Sequence, residues 1–120
     1  MSIPDDNGMN ADYETCEGMS LEQFERSIPL FQALGDPVRQ RIVLTLGRSG
    51  PLNVKQLTEQ SHLSRPAISH HLKILRQAGL VSVKEIGTVN LYTLEIADFV
   101  NQMKGLLAAI EAECTPGTGM

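Results

Sequence analysis

The stretch Leu63-Ser-Arg-Pro-Ala-Ile-Ser-His-His-Leu-Lys-Ile-Leu-Arg-Gln-Ala-Gly-Leu-Val81 decides the fold. Ser64 opens a helix, because its hydroxyl can accept from a free first-turn amide, and Pro66 sits where a missing N–H costs little. Gly79 supplies a left-handed residue to close the helix, with Leu75 and Leu80 spaced for the apolar contact of a Schellman ending. On a wheel of about 100° per residue, Leu72 and Leu75 fall within roughly 40° of Ile68, so these three define a core face. Pro66, His70, Lys73 and Gln77 gather on the opposite side, with Arg65 and Ser69 on one flank. Glu85 is the only acid between Gln60 and Ile86.

Working outward, Asn53 with Gln56 opens a short helix carrying Val54 and Leu57. The few residues at 61–63 then give helix-turn-helix spacing. Asp36-Pro37 starts an earlier helix whose stripe of Val38, Ile42 and Leu46 is expected to end at Gly47. Before it, Ser20 and Gln23 resemble a capping box, and Leu21, Phe24, Ile28 and Phe31 follow at helical spacing. Pro29 is expected to kink or interrupt that first helix. Downstream, residues 80–86 and 90–94 flank Gly87-Thr88 and read as a hairpin. A closing helix over 96–113 carries Phe99, Val100, Met103, Leu106, Leu107 and Ile110. The predicted class is therefore mainly α with a small β-hairpin: a winged helix-turn-helix over residues 19–113. An acidic arm (1–18) precedes it and a short tail (114–120) follows.

A chain of 120 residues and 13.1 kDa suits one compact domain rather than a multi-domain enzyme. No apolar run approaches the ~20 residues that span a bilayer and no secretory signal opens the chain, so the cytoplasm is the expected compartment. The net charge of −4 is unevenly spread. Residues 1–30 hold seven acids and one base, a net of −6, whereas 31–87 hold eight bases and three acids, a net of +5. Residues 88–120 return to −3, with Lys104 against four acids. A basic centre can face phosphate while the acidic ends stay away from it.

The outer face of the fourth helix is small, polar and basic. Such a face fits a major groove, where Arg, Ser and His donate to base edges and Lys neutralises phosphate; an ordinary solvated helix face is the plainer alternative. Ser64, Arg65, Ser69, His70 and Lys73 are the candidates there, with Lys84, Thr88 and Asn90 in the hairpin. Arg39, Arg41 and Lys55 add general phosphate attraction, unless the two arginines pair with the acidic arm. His71 lies about 60° from Ile68, beside the core, and is read as a packed, hydrogen-bonded histidine rather than a base contact. No nucleophile–base pair or phosphate-cradling loop suggests an enzyme. A winged-helix module that contacts protein instead of DNA is the rival reading, favoured by the acidic arm.

The segments Phe31-Gln-Ala-Leu-Gly-Asp-Pro-Val-Arg-Gln-Arg-Ile-Val-Leu and Leu63-Ser-Arg-Pro-Ala-Ile-Ser-His-His-Leu resemble the ArsR family of bacterial winged-helix repressors. The resemblance runs from about Leu21 to Ile110, and the hairpin around Gly87 and Tyr92-Thr-Leu is similar to the family's wing. It implies a homodimer bound to a double-stranded DNA operator, with first and last helices paired across a two-fold axis. Leu21, Phe24, Ile28, Phe99, Met103, Leu106 and Ile110 would form that interface. It also adds Ala67 to the groove-facing set. The Gly87-Thr88 tip is less basic than the family's wing often is.

The family's metal sites find no match. Asn53 and Lys55 stand where arsenic-responsive members carry a Cys-x-Cys pair, and a lysine ammonium cannot replace a thiolate. Asp98 stands with Asn101 and Gln102, and no histidine follows His71, so the last-helix site of zinc-responsive members is missing too. No metal and no cofactor are therefore expected. Cys16 and Cys114 are either a thiol sensor or two plain thiols whose acidic neighbours Glu17 and Glu113 raise their pKa. The apolar face of the closing helix is either dimer core or an effector pocket.

Overall fold

A computed structural model describes residues 21–114. The acidic arm at 1–18, Ser20, Cys16 and the tail beyond Cys114 lie outside the described residues. The elements are α1 (21–34), α2 (Pro37–Ser49), α3 (Val54–Glu59), α4 (Arg65–Gln77), β1 (Val81–Ile86), β2 (Val89–Leu94) and α5 (Ile96–Cys114). This is the winged helix-turn-helix order read from the sequence. The described residues form two compact units: Ile28–Asn101, and the stretches before and after it.

Two expectations need correction. Pro29 does not interrupt α1, which is helical throughout 21–34. Pro29 and Glu25, the residue whose carbonyl it leaves without an N–H, are both exposed, so water can replace the lost bond. Nor does α2 stop at Gly47. It runs on to Ser49 and closes at Gly50, whose N–H bonds the Leu46 carbonyl at 2.9 Å. A Cβ at Gly47 would lie 3.3 Å from Leu94 Cδ2, so that glycine allows β2 to approach the helix closely.

The remaining boundaries follow the cap chemistry. Asp36 caps α2 by accepting from Val38 N (2.9 Å) and Arg39 N (3.1 Å). Asn53 and Gln56 form a reciprocal capping box at α3. Ser64 Oγ accepts from Ala67 N at 3.3 Å. At the far end of α4, Gly79 has φ +81°, Leu80 N bonds Leu75 O and Gly79 N bonds Arg76 O, both at 3.0 Å. These two bonds define a Schellman ending, and a side chain at Gly79 would be strained by that φ.

The core of the central unit gathers Leu30, Ala33, Ile42, Leu46, Leu57, Ile68, Leu72, Leu75, Leu80 and Val81. Leu72 and Leu75 are wholly buried. Burying a leucine contributes about 1.5–3 kcal/mol, so the inner face of α4 alone anchors the helix firmly. The hairpin is antiparallel with a two-residue turn, pairing Ile86 with Val89 and Val81 with Leu94. Gly87 begins the turn at φ +66°. Sequence reading did not foresee that Leu52 pairs with Tyr92 through bonds of 3.1 and 2.8 Å, which tie the loop before α3 to the wing.

In the other unit, α1 and α5 meet. Gln102 Nε2 donates to Arg26 O at 3.3 Å, and a Cβ at Gly105 would come within 3.2 Å of Gln23 Nε2.

Candidate nucleic-acid interface

The outer face of α4 is built by what its inner face must do. With Ile68, Leu72 and Leu75 buried, Arg65, Ser69, His70, Lys73, Arg76 and Gln77 are all exposed. Ala67 is half-buried on the edge, and Ser64 is exposed with its hydroxyl engaged in the cap. Among the described residues, Arg65, Lys73 and Arg76 enter no ion pair, so their charge is open to a partner. Arg76 and Gln77 were not among the sequence candidates. They share a cleft with Lys73 and with Val81, Ser82 and Val83 of β1. The available signal was a second base three residues after Lys73, one helical turn on.

His71 has the role read for it. Its ring is half-buried, and Arg39 Nη1 lies 3.2 Å from its Nδ1. A guanidinium only donates, so Nδ1 accepts and the ring proton sits on Nε2. Arg39 also donates from Nε to Ala33 O (2.7 Å) and from Nη2 to Gln32 O (3.1 Å). This corrects the reading of Arg39 as a free phosphate contact: it links the end of α1 to α4. Asp36 completes the cluster, with Oδ2 3.9 Å from His71 Nδ1. The Arg39 amide bond holds the Asp36 carboxyl below its ordinary pKa, opposed by a smaller desolvation effect and helped by the Arg39 charge and the Val38 amide.

The wing divides its candidates. Side chains alternate across a strand, and the register pairs Lys84 with Leu91 but Asn90 with Glu85. Lys84 therefore shares a face with Ile86 and Val89, while Asn90 lies on the other face beside an acid. Lys84, Thr88 and Asn90 are all exposed, but they do not present one surface. The tip is apolar as well, with Ile86 and Val89 both exposed.

Of the residues assigned to a dimer seam, Leu21, Phe24 and Ile28 are exposed along α1, and Phe99, Met103 and Ile110 are half-buried. Leu106 is 3% exposed, so packing within the single chain already covers it and it offers no open surface. Ile96, Val100 and Leu107 are the exposed large apolar residues of α5. Cys114 ends α5. No group of three or more His, Cys, Asp or Glu among the described residues could hold a metal ion. Asn53, at one of the family's thiolate positions, serves as the α3 cap, and Lys55, at the other, is exposed. No described helix is long and apolar enough to cross a membrane.

Residues 36–83, from the Asp36 cap into β1, match the profile of the bacterial regulatory proteins of the arsR family. A helix-turn-helix transcriptional regulator of Methanocaldococcus jannaschii is 38% identical over 72 residues, covering 60% of this chain and 81% of that one. The transcriptional repressor SdpR of Bacillus subtilis is 36% identical, covering 62% of this chain and 84% of its own.

The chain belongs to the arsR family.

Its architecture agrees with that of the family. The solved structure of an ArsR-like transcriptional regulator from Rhodococcus sp. RHA1 superposes with a TM-score of 0.69 at 30% identity, over 78% of this chain and 84% of that one. This arsR-family protein is thus a DNA-binding transcriptional regulator of the winged-helix type, with α3 and α4 as its helix-turn-helix.

Proposed function

We propose that this arsR-family protein is a homodimeric, non-enzymatic repressor in the cytoplasm that reads an operator with the outer face of α4. Arg65, Ser69 and His70 supply donors to base edges, and Ala67 supplies an apolar edge. Lys73 and Arg76 take phosphates, and Lys84 extends that contact from one face of the wing. The two-fold seam uses the exposed Leu21, Phe24 and Ile28 of α1, with Phe99, Met103 and Ile110 of α5. Two recognition helices then meet half-sites about 10 base pairs apart. Residues 19–113 carry the function, and the acidic stretch 1–18 precedes them in the chain. Release is by an effector, with thiol chemistry at Cys16 and Cys114 as one route.

One observation carries the reading. A helix fixed by three buried residues and caps at both ends presents an outer face with three unpaired bases and no acid. Fluorescence anisotropy of the reduced protein against DNA upstream of its own gene, near physiological salt, tests it. Binding about a thousand-fold tighter than to scrambled duplex is expected. Equal weak binding to both would favour the protein-interaction reading instead.

A further inference from the structure

A second hollow of the helix-turn-helix unit, lined by both apolar and basic groups, lies away from the outer face of α4. It is open on one side and bounded by α2, α3 and the turn before α4, with a volume of about 440 Å³. That lies within the ~300–1,000 Å³ typical of small-molecule sites. Ile42, Leu57 and Ile68, all buried core residues, line it alongside Val38 and Leu63. Its polar lining comes from Arg41, Arg48, His62, Thr45, Gln60 and Ser61, and no acid lines it. Among the described residues the side chains of Arg41 and Arg48 have neither an ion pair nor a hydrogen bond. Leu44 stands beside them 54% exposed.

Apolar walls next to two uncompensated guanidinium groups suit a ligand with an apolar body and an anionic head, because guanidinium binds a carboxylate through two parallel hydrogen bonds. We propose that this cavity binds a small amphipathic carboxylate or similar oxyanion, and that its occupancy lowers operator affinity. The second half rests on the repressor reading above. The wall of the cavity is also the turn that sets α4. Ser61 Oγ donates to Thr58 O (3.2 Å) and accepts from Leu63 N (3.1 Å), directly before the Ser64 cap, and Ile68 lines the cavity from α4 itself. A ligand held there acts on α4 through the arrangement of α2, turn and helix that it prefers.

Decanoate, kept well below its micellar concentration, is the probe, with decanol and decyltrimethylammonium as neutral and cationic counterparts. The full chain is titrated by amide NMR and calorimetry. Decanoate should saturate with shifts centred on Thr45, Gln60 and Ser61, and bind about tenfold more tightly than either counterpart. Arg41→Gln with Arg48→Gln should cost about the same factor. Thr45→Phe, which fills the cavity but keeps the charges, should abolish binding with an unchanged fold by circular dichroism. Saturating decanoate should weaken operator binding at least about fivefold.

Shifts centred on α5, equal binding of the three probes, an indifferent Thr45→Phe variant, or saturation without any change at the operator would each overturn the proposal. Ligand-free operator binding is measured alongside. If the free protein does not prefer operator to scrambled DNA, the repressor reading fails; if it does and decanoate does not enter the cavity, only this inference fails.

Discussion

α4 and the β1–β2 hairpin are joined by three residues, yet they are secured in different ways. α4 buries Ile68, Leu72 and Leu75 on one side, is capped by Ser64, ends in a Schellman motif and is tied through His71 to Arg39. The hairpin is anchored only at its base, where Val81 is buried, Leu94 lies against Gly47 and Tyr92 pairs with Leu52. From Lys84 to Asn90 every residue is exposed. Charge follows the same division. The outer face of α4 is free of acids, whereas the wing sets Glu85 directly opposite Asn90. The contrast teaches where specificity belongs. Base readout needs donors held in fixed positions, and of these two regions α4 is the one so held, which is why the proposed readout is assigned to it.

Leu72→Ala should produce the largest effect. Leu72 is wholly buried on α4's inner face, and a leucine truncated to alanine in such a place costs about 2–5 kcal/mol. Urea unfolding measures it, and a loss under about 1 kcal/mol would mean that α4 is less firmly anchored than its burial implies. Arg39→Met comes next. It removes the donors to Ala33 O, Gln32 O and His71 Nδ1, and charged hydrogen bonds of this kind are worth about 1.5–3 kcal/mol. A silent Arg39→Met would place that residue back among the surface bases.

For the reading face, Arg65→Ala should weaken operator binding by about 1–3 kcal/mol and relax preference at one base position. Silence on every operator tested would show that the wrong face has been assigned. In the wing, Lys84→Ala should weaken all duplexes alike and reduce the salt slope by about one. Asn90→Ala, on the opposite face beside Glu85, should leave binding unchanged. If the two variants behaved alike, the split between the wing's faces would lose its meaning.

The smallest effect is a pH dependence. The folded-state pKa of Asp36 is lowered, so the stability it contributes is present above the ordinary Asp range and is lost as pH falls through the folded pKa. Asp36→Asn should flatten that acid limb of the unfolding profile. An unaltered limb would mean that other carboxylates carry it.

Much of this was legible in advance because it is local. Asp36, Asn53, Ser64 and Gly79 mark helix ends through hydrogen bonds made within a few residues. The core face of α4 follows from a 3.6-residue period that needs no knowledge of the partner. The absence of acids around α4 is a property of the chain itself, as is the family motif from Asp36 onward. On these grounds the sequence by itself determined the winged helix-turn-helix class, the acid-free outer face of α4 and the structural part played by His71.

What only the tertiary structure decided depends on residues distant in the chain. Arg39 looks like any other surface base until α1 and α4 bring two carbonyls and an imidazole around it. Gly47 looks like a helix stop until Leu94 is seen against it, and Leu106 looks like seam until its own chain covers it. Strand register sent Lys84 and Asn90 to opposite faces, and the meeting of α2 with the α3–α4 turn made a cavity from residues 38 to 68. A local pattern fixes which way a side chain leaves its own helix or strand; what it meets there is set by the packing of elements that are far apart in sequence.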